Sequence, residues 1–130
     1  MKQINKNLTE AQKDVLFNKG TEPPHTDDNL LDFSEGTYKC ANCAAQLFDS
    51  SAKYESTASG LVGWPSFDSA LVGALEYKQD KSLFMKRTEV VCKNCGGHLG
   101  HVFAADDAPS GTHFCINSLS IDFDKAKKED

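Results

Sequence analysis

Tyr38-Lys39-Cys40-Ala41-Asn42-Cys43 carries the first of two Cys-x-x-Cys pairs, and Val91-Cys92-Lys93-Asn94-Cys95-Gly96-Gly97 carries the second. Two thiolates at this spacing can hold one face of a tetrahedral zinc ion, so two such pairs complete a closed site that has a structural role. The pairs lie much farther apart than the roughly 15–20 residues of a compact zinc finger. We therefore predict that one structural zinc ion clips two distant hairpins together. The expected ligands are Cys40, Cys43, Cys92 and Cys95.

Other interpretations of the pairs are weaker. They could be unrelated to each other, or one could be a redox motif of the thioredoxin type, which is expected as a single pair within a βαβ unit. A catalytic zinc of the deaminase type would need His-x-Glu and Pro-Cys-x-x-Cys, and neither precedes these cysteines.

The composition favours a globular domain and argues against a nucleic-acid-binding or membrane-spanning protein. With 130 residues, 39% of them hydrophobic and 25% charged, the sequence predicts a single globular domain over residues 1–130. The net charge of −5 and the lack of a basic stripe argue against nucleic-acid binding. No apolar run approaches the roughly 20 residues of a membrane span, and the N-terminus lacks a signal-peptide core. We expect a cytoplasmic protein whose cysteine pairs bind metal instead of forming disulfides.

The first element is predicted to be a short helix within an N-terminal arm of about residues 1–24. Thr9 and Gln12 form a capping box, Ala11 and Val15 would face inward, and Gly20 would end the helix.

Beyond this arm, short aromatic and β-branched runs alternate with turn signals, which predicts a mainly β fold with antiparallel sheets. A C-terminal tail is expected from about residue 124. The predicted strand runs are 36–39, 46–48, 82–85, 88–91, 101–103, 113–116 and 120–123.

The fifth cysteine, Cys115, stands apart from the pairs. It is either a small buried hydrophobe or a reactive thiol. Asn117 shares its side of a strand, because side chains alternate with a period of two. His98 and His101 follow the second pair, and we interpret them as proton donors or charge partners of a thiolate. Trp64, the only tryptophan, either packs in the core or forms the wall of a pocket.

These motifs together resemble the methionine-R-sulfoxide reductase family (MsrB, SelR-type) from about Leu8 to Phe123. The resemblance implies two antiparallel sheets, an N-terminal helix, one structural zinc ion and reduction of the R epimer of methionine sulfoxide, in peptides and free. The motifs that carry it are Gly20-Thr21-Glu22-Pro23-Pro24, the two cysteine pairs, Gly63-Trp64-Pro65-Ser66-Phe67, Gly97-His98-Leu99-Gly100-His101-Val102-Phe103 and Phe114-Cys115-Ile116-Asn117-Ser118.

The family's functional residues carry over by position. The resemblance implies that Cys115 attacks the sulfoxide sulfur and becomes a sulfenic acid. It implies that Trp64 receives the S-methyl group. A sulfoxide oxygen leaves poorly unless it is protonated, and an imidazolium would also raise the small thiolate fraction of a free cysteine. The residues expected to hold or protonate that oxygen are His98, His101 and Asn117. The residues expected to complete the substrate pocket are Phe67, His113 and Phe114.

The sequence departs from the family pattern at three places. His113 stands where the family usually has arginine, so a titratable group replaces a permanent cation. The loop Ser59-Gly60-Leu61-Val62-Gly63-Trp64 holds no resolving cysteine, which implies reduction by an external thiol of the thioredoxin or glutathione/glutaredoxin type. Ala104-Ala105 displaces the acidic turn, and no role is assigned to Asp106 or Asp107.

Two alternatives stay open at the level of sequence. One is a zinc-stabilised degenerate reductase, and the other is a binding module that recognises oxidised methionine without turnover. In either case a monomer is expected, with oxidised methionine in proteins or peptides as its partner.

Overall fold

The computed structural model describes residues 3–80 and 87–126. Within these ranges one α-helix, α1 (Glu10–Asn18), precedes the strands. The predicted mainly β architecture, with antiparallel sheets and a short N-terminal helix, is confirmed. The strands are β1 (Gly36–Cys40), β2 (Gln46–Asp49), β3 (Lys53–Tyr54), β4 (Ser66–Phe67), β5 (Leu75–Asp80), β6 (Arg87–Cys92), β7 (His98–Ala104), β8 (Thr112–Ile116) and β9 (Ile121–Lys125).

The observed strands differ from the predicted ones at the short or polar strands and at the C-terminal end. β3, β4 and β5 were not predicted, because two of them are only two residues long and β5 is polar along most of its length. β9 continues to Lys125, so the tail predicted from residue 124 begins too early. The predicted run 82–85 lies outside the described residues.

The strands form two antiparallel sheets. The smaller has the order β2-β1-β9, and the larger has the order β3-β4-β8-β7-β6-β5. β8 therefore lies inside the larger sheet, with β4 on one side and β7 on the other. Every paired neighbour is antiparallel.

Aromatic rings fill the space between the two sheets. Phe48 of the smaller sheet stacks on Phe67 of the larger one, with ring centroids 4.2 Å apart, and Tyr38 meets Phe67 edge-on at 5.0 Å. Phe114 of β8 contacts Phe48 at 6.0 Å. Because side chains alternate along β8, burial of Phe114 and Ile116 in this core turns Cys115 to the opposite face.

Helix α1 covers one end of this core. The capping box of Thr9 and Gln12 is confirmed. Val15 is buried as predicted, but Leu16 is the second buried residue of the helix and Ala11 is exposed. The C-cap residue of the helix is Lys19, which has left-handed backbone dihedrals and lies one residue before the predicted stop at Gly20. The N–H of Gly20 donates to the carbonyl of Asp14. No helix in the described residues has both the length and the apolar character that a membrane crossing requires.

The core predicts a clear contrast between two leucines. Leu47→Ala removes a fully buried side chain and should lower the free energy of unfolding by about 2–5 kcal/mol. Leu31→Ala is the matched control, because Leu31 is 58% exposed and its truncation should change stability by less than about 0.5 kcal/mol. Urea unfolding of the metal-loaded variants measures both values. Equal effects of the two changes would contradict the described core.

Candidate functional site

The four paired cysteines form one cluster between the two sheets. Their sulfur atoms all lie within 4.8 Å of one another. The Sγ atoms of Cys40 and Cys95 are 3.6 Å apart, as are those of Cys43 and Cys92. A tetrahedral zinc with Zn–S bonds of about 2.3 Å places its ligands about 3.8 Å apart, whereas a disulfide needs about 2.05 Å. The donor set therefore fits a tetrahedral metal ion and does not fit disulfides.

Both halves of the cluster have the same backbone geometry. In the first pair the N–H of Ala44 donates to the carbonyl of Cys40, and in the second the N–H of Gly96 donates to that of Cys92. Ala44 and Gly96 both have a positive φ, of 64° and 78°. The N–H of Gly97 donates to the sulfur of Cys95 at 3.4 Å. The two turns thus present their thiols to a common centre.

Cys115 lies on the floor of a separate cleft. The strand register places it directly opposite His101 of β7 and opposite Ser66 of β4. Directly opposite residues point to the same face of an antiparallel sheet. Close approach of β7 and β8 depends on Gly100, because a Cβ there would overlap the carbonyl oxygen of Cys115.

The cleft has a volume of about 100 Å³. Side chains that line it include Trp64, Arg87, His101, Phe103, Cys115 and Asn117. A larger groove of about 510 Å³ beside Lys53 and Asp122 has neither cysteine nor histidine in its lining. The smaller cleft is therefore where the thiol of Cys115, the imidazole of His101 and an aromatic wall come together.

His101 is held in place by a carboxylate. Its Nε2 lies 2.8 Å from Oδ2 of Asp80, and the same oxygen accepts a hydrogen bond from Arg87 at 3.2 Å. Its Nδ1 makes no hydrogen bond within residues 3–80 and 87–126, which leaves this nitrogen available to a bound molecule.

His98 lies behind His101 and does not line the cleft. Its Nδ1 is 2.7 Å from Oε2 of the buried Glu89, whose other oxygen pairs with Lys19 at 3.3 Å. Burial, opposed by Glu89, lowers the pKa of His98, so the ring is neutral at pH 7. Its ring centroid is 5.4 Å from that of His101. The geometry therefore brings His98 into contact with the cleft only through His101.

Asn117 and Trp64 line the cleft with their polar atoms already engaged. Asn117 donates to the carbonyl of Leu99 at 3.1 Å and accepts from the N–H of Glu22 at 3.0 Å. Trp64 donates from Nε1 to the carbonyl of Glu22 at 2.9 Å. The Glu22 carboxylate accepts from Ser118 and Leu119 at 2.7 and 2.9 Å. The buried Glu22 thus fixes the cleft wall to the end of β8.

The three other expected substrate contacts lie elsewhere. Phe67 and Phe114 pack in the core between the sheets. His113 is fully buried, with Nδ1 3.1 Å from Asp107 and Nε2 2.8 Å from Ser66. The structure therefore does not bring these three side chains into the cleft, and their positions indicate packing and support of neighbouring residues.

Sequence reasoning missed four polar residues around the cleft. Glu22 lies within a quoted motif but was given no chemistry, and Asp107 was assigned no role. Ser66 also lies within a quoted motif but was given no role, because only the strand register places it beside Cys115. Asp80 carries no sequence signal, and only the fold places it beside His101. A buried acid in a turn, such as Asp107, is detectable from sequence only if its partner is known.

The resting thiol of Cys115 is neutral. Burial raises its pKa to about 12, and the nearby Glu22 carboxylate adds to the rise. The expectation that a neighbouring imidazolium of His98 or His101 increases the thiolate fraction is therefore outweighed in the free protein by the loss of solvation.

Comparison with known proteins gives a consistent family. The SelR domain model matches residues 8–125. A protein of Methanosarcina barkeri named "Peptide methionine sulfoxide reductase MsrB" is 46% identical over 117 residues, which cover 89% of this chain and 80% of the relative. The protein of that name from Leptospira interrogans is 46% identical over 121 residues, with 92% and 89% covered. The one from Escherichia coli K12 is 43% identical over 122 residues, with 93% and 86% covered. The model match over nearly the whole chain, together with these identities, shows that the chain belongs to the SelR domain family.

Proposed function

We propose that this protein is a peptide-methionine (R)-S-oxide reductase that uses Cys115 as its nucleophile. The observation that carries the proposal is the juxtaposition of Cys115 and His101 as cross-strand partners beside Trp64, while the other four sulfurs belong to the metal-binding cluster. The family relationship supports the same reaction, since the relatives named above are peptide methionine sulfoxide reductases.

The cleft suits a small group that is apolar at one end and polar at the other. Trp64 and Phe103 would contact the S-methyl group, and the histidine would face the sulfoxide oxygen. Because sulfur in a sulfoxide is chiral, exchange of the methyl group and the oxygen would put the oxygen on the aromatic wall. This arrangement explains a preference for one epimer.

Oxygen transfer proceeds from the sulfoxide to the thiol. The Cys115 sulfur attacks the sulfoxide sulfur and forms a transient sulfur–sulfur bond. The oxygen passes to the Cys115 sulfur as the sulfur–oxygen bond of the substrate breaks, and the sulfur–sulfur bond then breaks to leave a sulfenic acid on Cys115. The substrate sulfur gains the two electrons that the cysteine sulfur loses, and methionine leaves. The thiol proton ends on the transferred oxygen, so the step needs no external proton.

His101 would move that proton. Asp80 fixes the ring through Nε2, so Nδ1 is the atom that would take up the thiol proton and pass it to the sulfoxide oxygen. Since the thiol of Cys115 is neutral at rest, sulfur attack and protonation of the oxygen must be coupled. His98 and Asn117 would act indirectly, His98 by packing on the His101 ring and Asn117 by fixing the cleft wall.

An external thiol would complete the cycle. The other four cysteines lie in the cluster, which leaves none to form an intramolecular disulfide with Cys115. Two thiol groups, from one dithiol of the thioredoxin type or from two molecules of the glutathione type, would convert the sulfenic acid to the thiol with release of water and a disulfide. A reducing compartment such as the cytoplasm supplies such thiols.

Cys40, Cys43, Cys92 and Cys95 would hold a zinc ion that takes no part in the reaction. A closed four-sulfur site has no open position for substrate, so its contribution is to folding. The cluster is the place where the turn after β1 meets the turn after β6.

Kinetics with resolved epimers test the proposed function. The wild type should reduce the R epimer of a blocked methionine sulfoxide with dithiothreitol and leave the S epimer unchanged. Cys115→Ser should abolish turnover, and His101→Asn should lower kcat by about 10²–10⁴-fold if His101 transfers the proton. His25→Asn is the control, because the His25 side chain is exposed and does not line the cleft, and the hydrogen bond from this loop to Gly63 comes from its backbone N–H. Substrate binding without turnover by the wild type would favour a degenerate reductase, and full activity of Cys115→Ser would overturn the nucleophile.

The raised thiol pKa gives a second prediction. Alkylation requires the thiolate, so the rate at Cys115 should rise about tenfold per pH unit between about pH 7 and pH 9 without a plateau. Iodoacetamide labelling of the metal-loaded protein, followed by peptide mass spectrometry, measures this rate. A plateau already at neutral pH would show that the thiolate is stable at rest and would contradict the neutral thiol.

A further inference from the structure

Two departures from the family pattern meet in a single buried contact. His113 stands where the family pattern has arginine, and Asp107, from the acidic turn, lies beside this histidine. Oδ1 of Asp107 is 3.1 Å from Nδ1 of His113, and their side chains are 4% and 0% exposed. Removing two charges from water costs free energy, and a buried ion pair offsets this cost only when further hydrogen bonds are made to both charged groups.

Asp107 is fully engaged as a carboxylate. Although burial opposes it, the bond from His113 and backbone bonds from Thr57 and Ala58 lower the pKa of Asp107. The N–H groups of Thr57 and Ala58 donate to Oδ2 at 3.1 and 3.2 Å. Asp107 thus fixes the loop that leads to the Gly60–Trp64 side of the cleft.

The hydrogen atoms in this contact can be assigned from the partners. A carboxylate has no proton to donate, so Nδ1 of His113 must carry one. Ser66 Oγ lies 2.8 Å from Nε2 of His113 and also donates to the carbonyl of Trp64 at 3.1 Å. The Ser66 hydroxyl has one hydrogen. If that hydrogen is donated to the Trp64 carbonyl, Ser66 Oγ can only accept from His113, so Nε2 of His113 must also carry a proton. All of these bonds are satisfied together only when His113 is an imidazolium.

This charge lies on the same side of the sheet as the nucleophile. His113 precedes Cys115 by two residues on β8, so both side chains point away from the core. Ser66, the hydrogen-bond partner of His113, is the cross-strand neighbour of Cys115 on β4. A positive charge at this place favours the thiolate over the thiol.

We propose that Asp107 and Ser66 hold His113 as a buried cation that stabilises the thiolate of Cys115, so that all three are positioning residues for the nucleophile. The functional meaning of this unit rests on the proposed reductase activity, in which Cys115 attacks the sulfoxide. The cation offsets part of the effect of burial on Cys115 and supplies charge that the missing arginine would otherwise provide.

In the part of the chain that the structure describes, few polar groups face His113 from neighbouring elements. Asp107 comes from the turn after β7, Ser66 from β4, and Cys115 from the same strand. Tyr54 of β3 meets the ring edge-on at 5.3 Å, and its hydroxyl is 3.5 Å from Asp107. Burial, with Asp107 adding, raises the pKa of Tyr54, so this residue is neutral at working pH. Asp107 is thus the anionic partner that balances His113.

The test compares alkylation of Cys115 in His113→Asn with the wild type. Asparagine retains a hydrogen-bonding side chain but has no positive charge, so the alkylation rate at about pH 8 should fall about tenfold, which corresponds to one pKa unit. His25→Asn is the matched control and should leave the rate unchanged. A purely structural role of His113 would lower the melting temperature without this change, so an unchanged rate in a folded, metal-loaded variant overturns the proposal.

A measurement on the wild type keeps the test independent of variant folding. Heteronuclear NMR of the histidine rings should show protons on both nitrogens of His113 at neutral pH. A neutral ring with one proton would overturn the proposal whatever the variants do. Neither readout requires turnover, so failure of the reductase assay and failure of this inference are distinguishable.

Discussion

The four-sulfur cluster is the contact on which the rest of the structure depends. It joins the turn that follows β1 in the smaller sheet to the turn that follows β6 in the larger one. Helix α1 packs on the same turns, since a Cβ at Gly97 would press against Leu16. A structural zinc contributes about 10–16 kcal/mol of apparent folding free energy in small peptides, which is as large as the stability of a whole domain. An ion here would therefore fix how the two sheets face each other.

The position of β8 between β4 and β7 places Cys115 in the candidate functional site. One face of the strand contributes Phe114 and Ile116 to the core, and the other presents Cys115 between His101 and Ser66. The thiol is half-buried there, and its burial together with the nearby Glu22 carboxylate raises its pKa, so its resting form is neutral. In the proposed mechanism, reactivity would depend on two histidines: His101 would transfer the proton during oxygen transfer, and His113 would hold the charge that we propose for it.

Sequence reasoning predicted the parts that depend on local pattern. The capping box of α1, most of the strands and the grouping of four cysteines follow from spacing and residue type alone. The short strands β3 and β4 and the acids Asp80 and Asp107 were beyond its reach, because register between distant segments determines their role. Phe67 illustrates the limit, since it lies in a functional motif yet stacks on Phe48 in the core. A motif therefore predicts which segment lies near the site, but the direction of each side chain is known only from the fold.

A single turnover without reductant tests the division of the sulfurs most directly. The metal-loaded protein is mixed with one equivalent of the R epimer of a methionine sulfoxide peptide, and the products are analysed by mass spectrometry and metal determination. The account predicts one equivalent of methionine peptide, one added oxygen atom on the peptide that contains Cys115, and no loss of metal. Oxygen or a disulfide on any of the four clustered cysteines, or release of the metal with product, would contradict it.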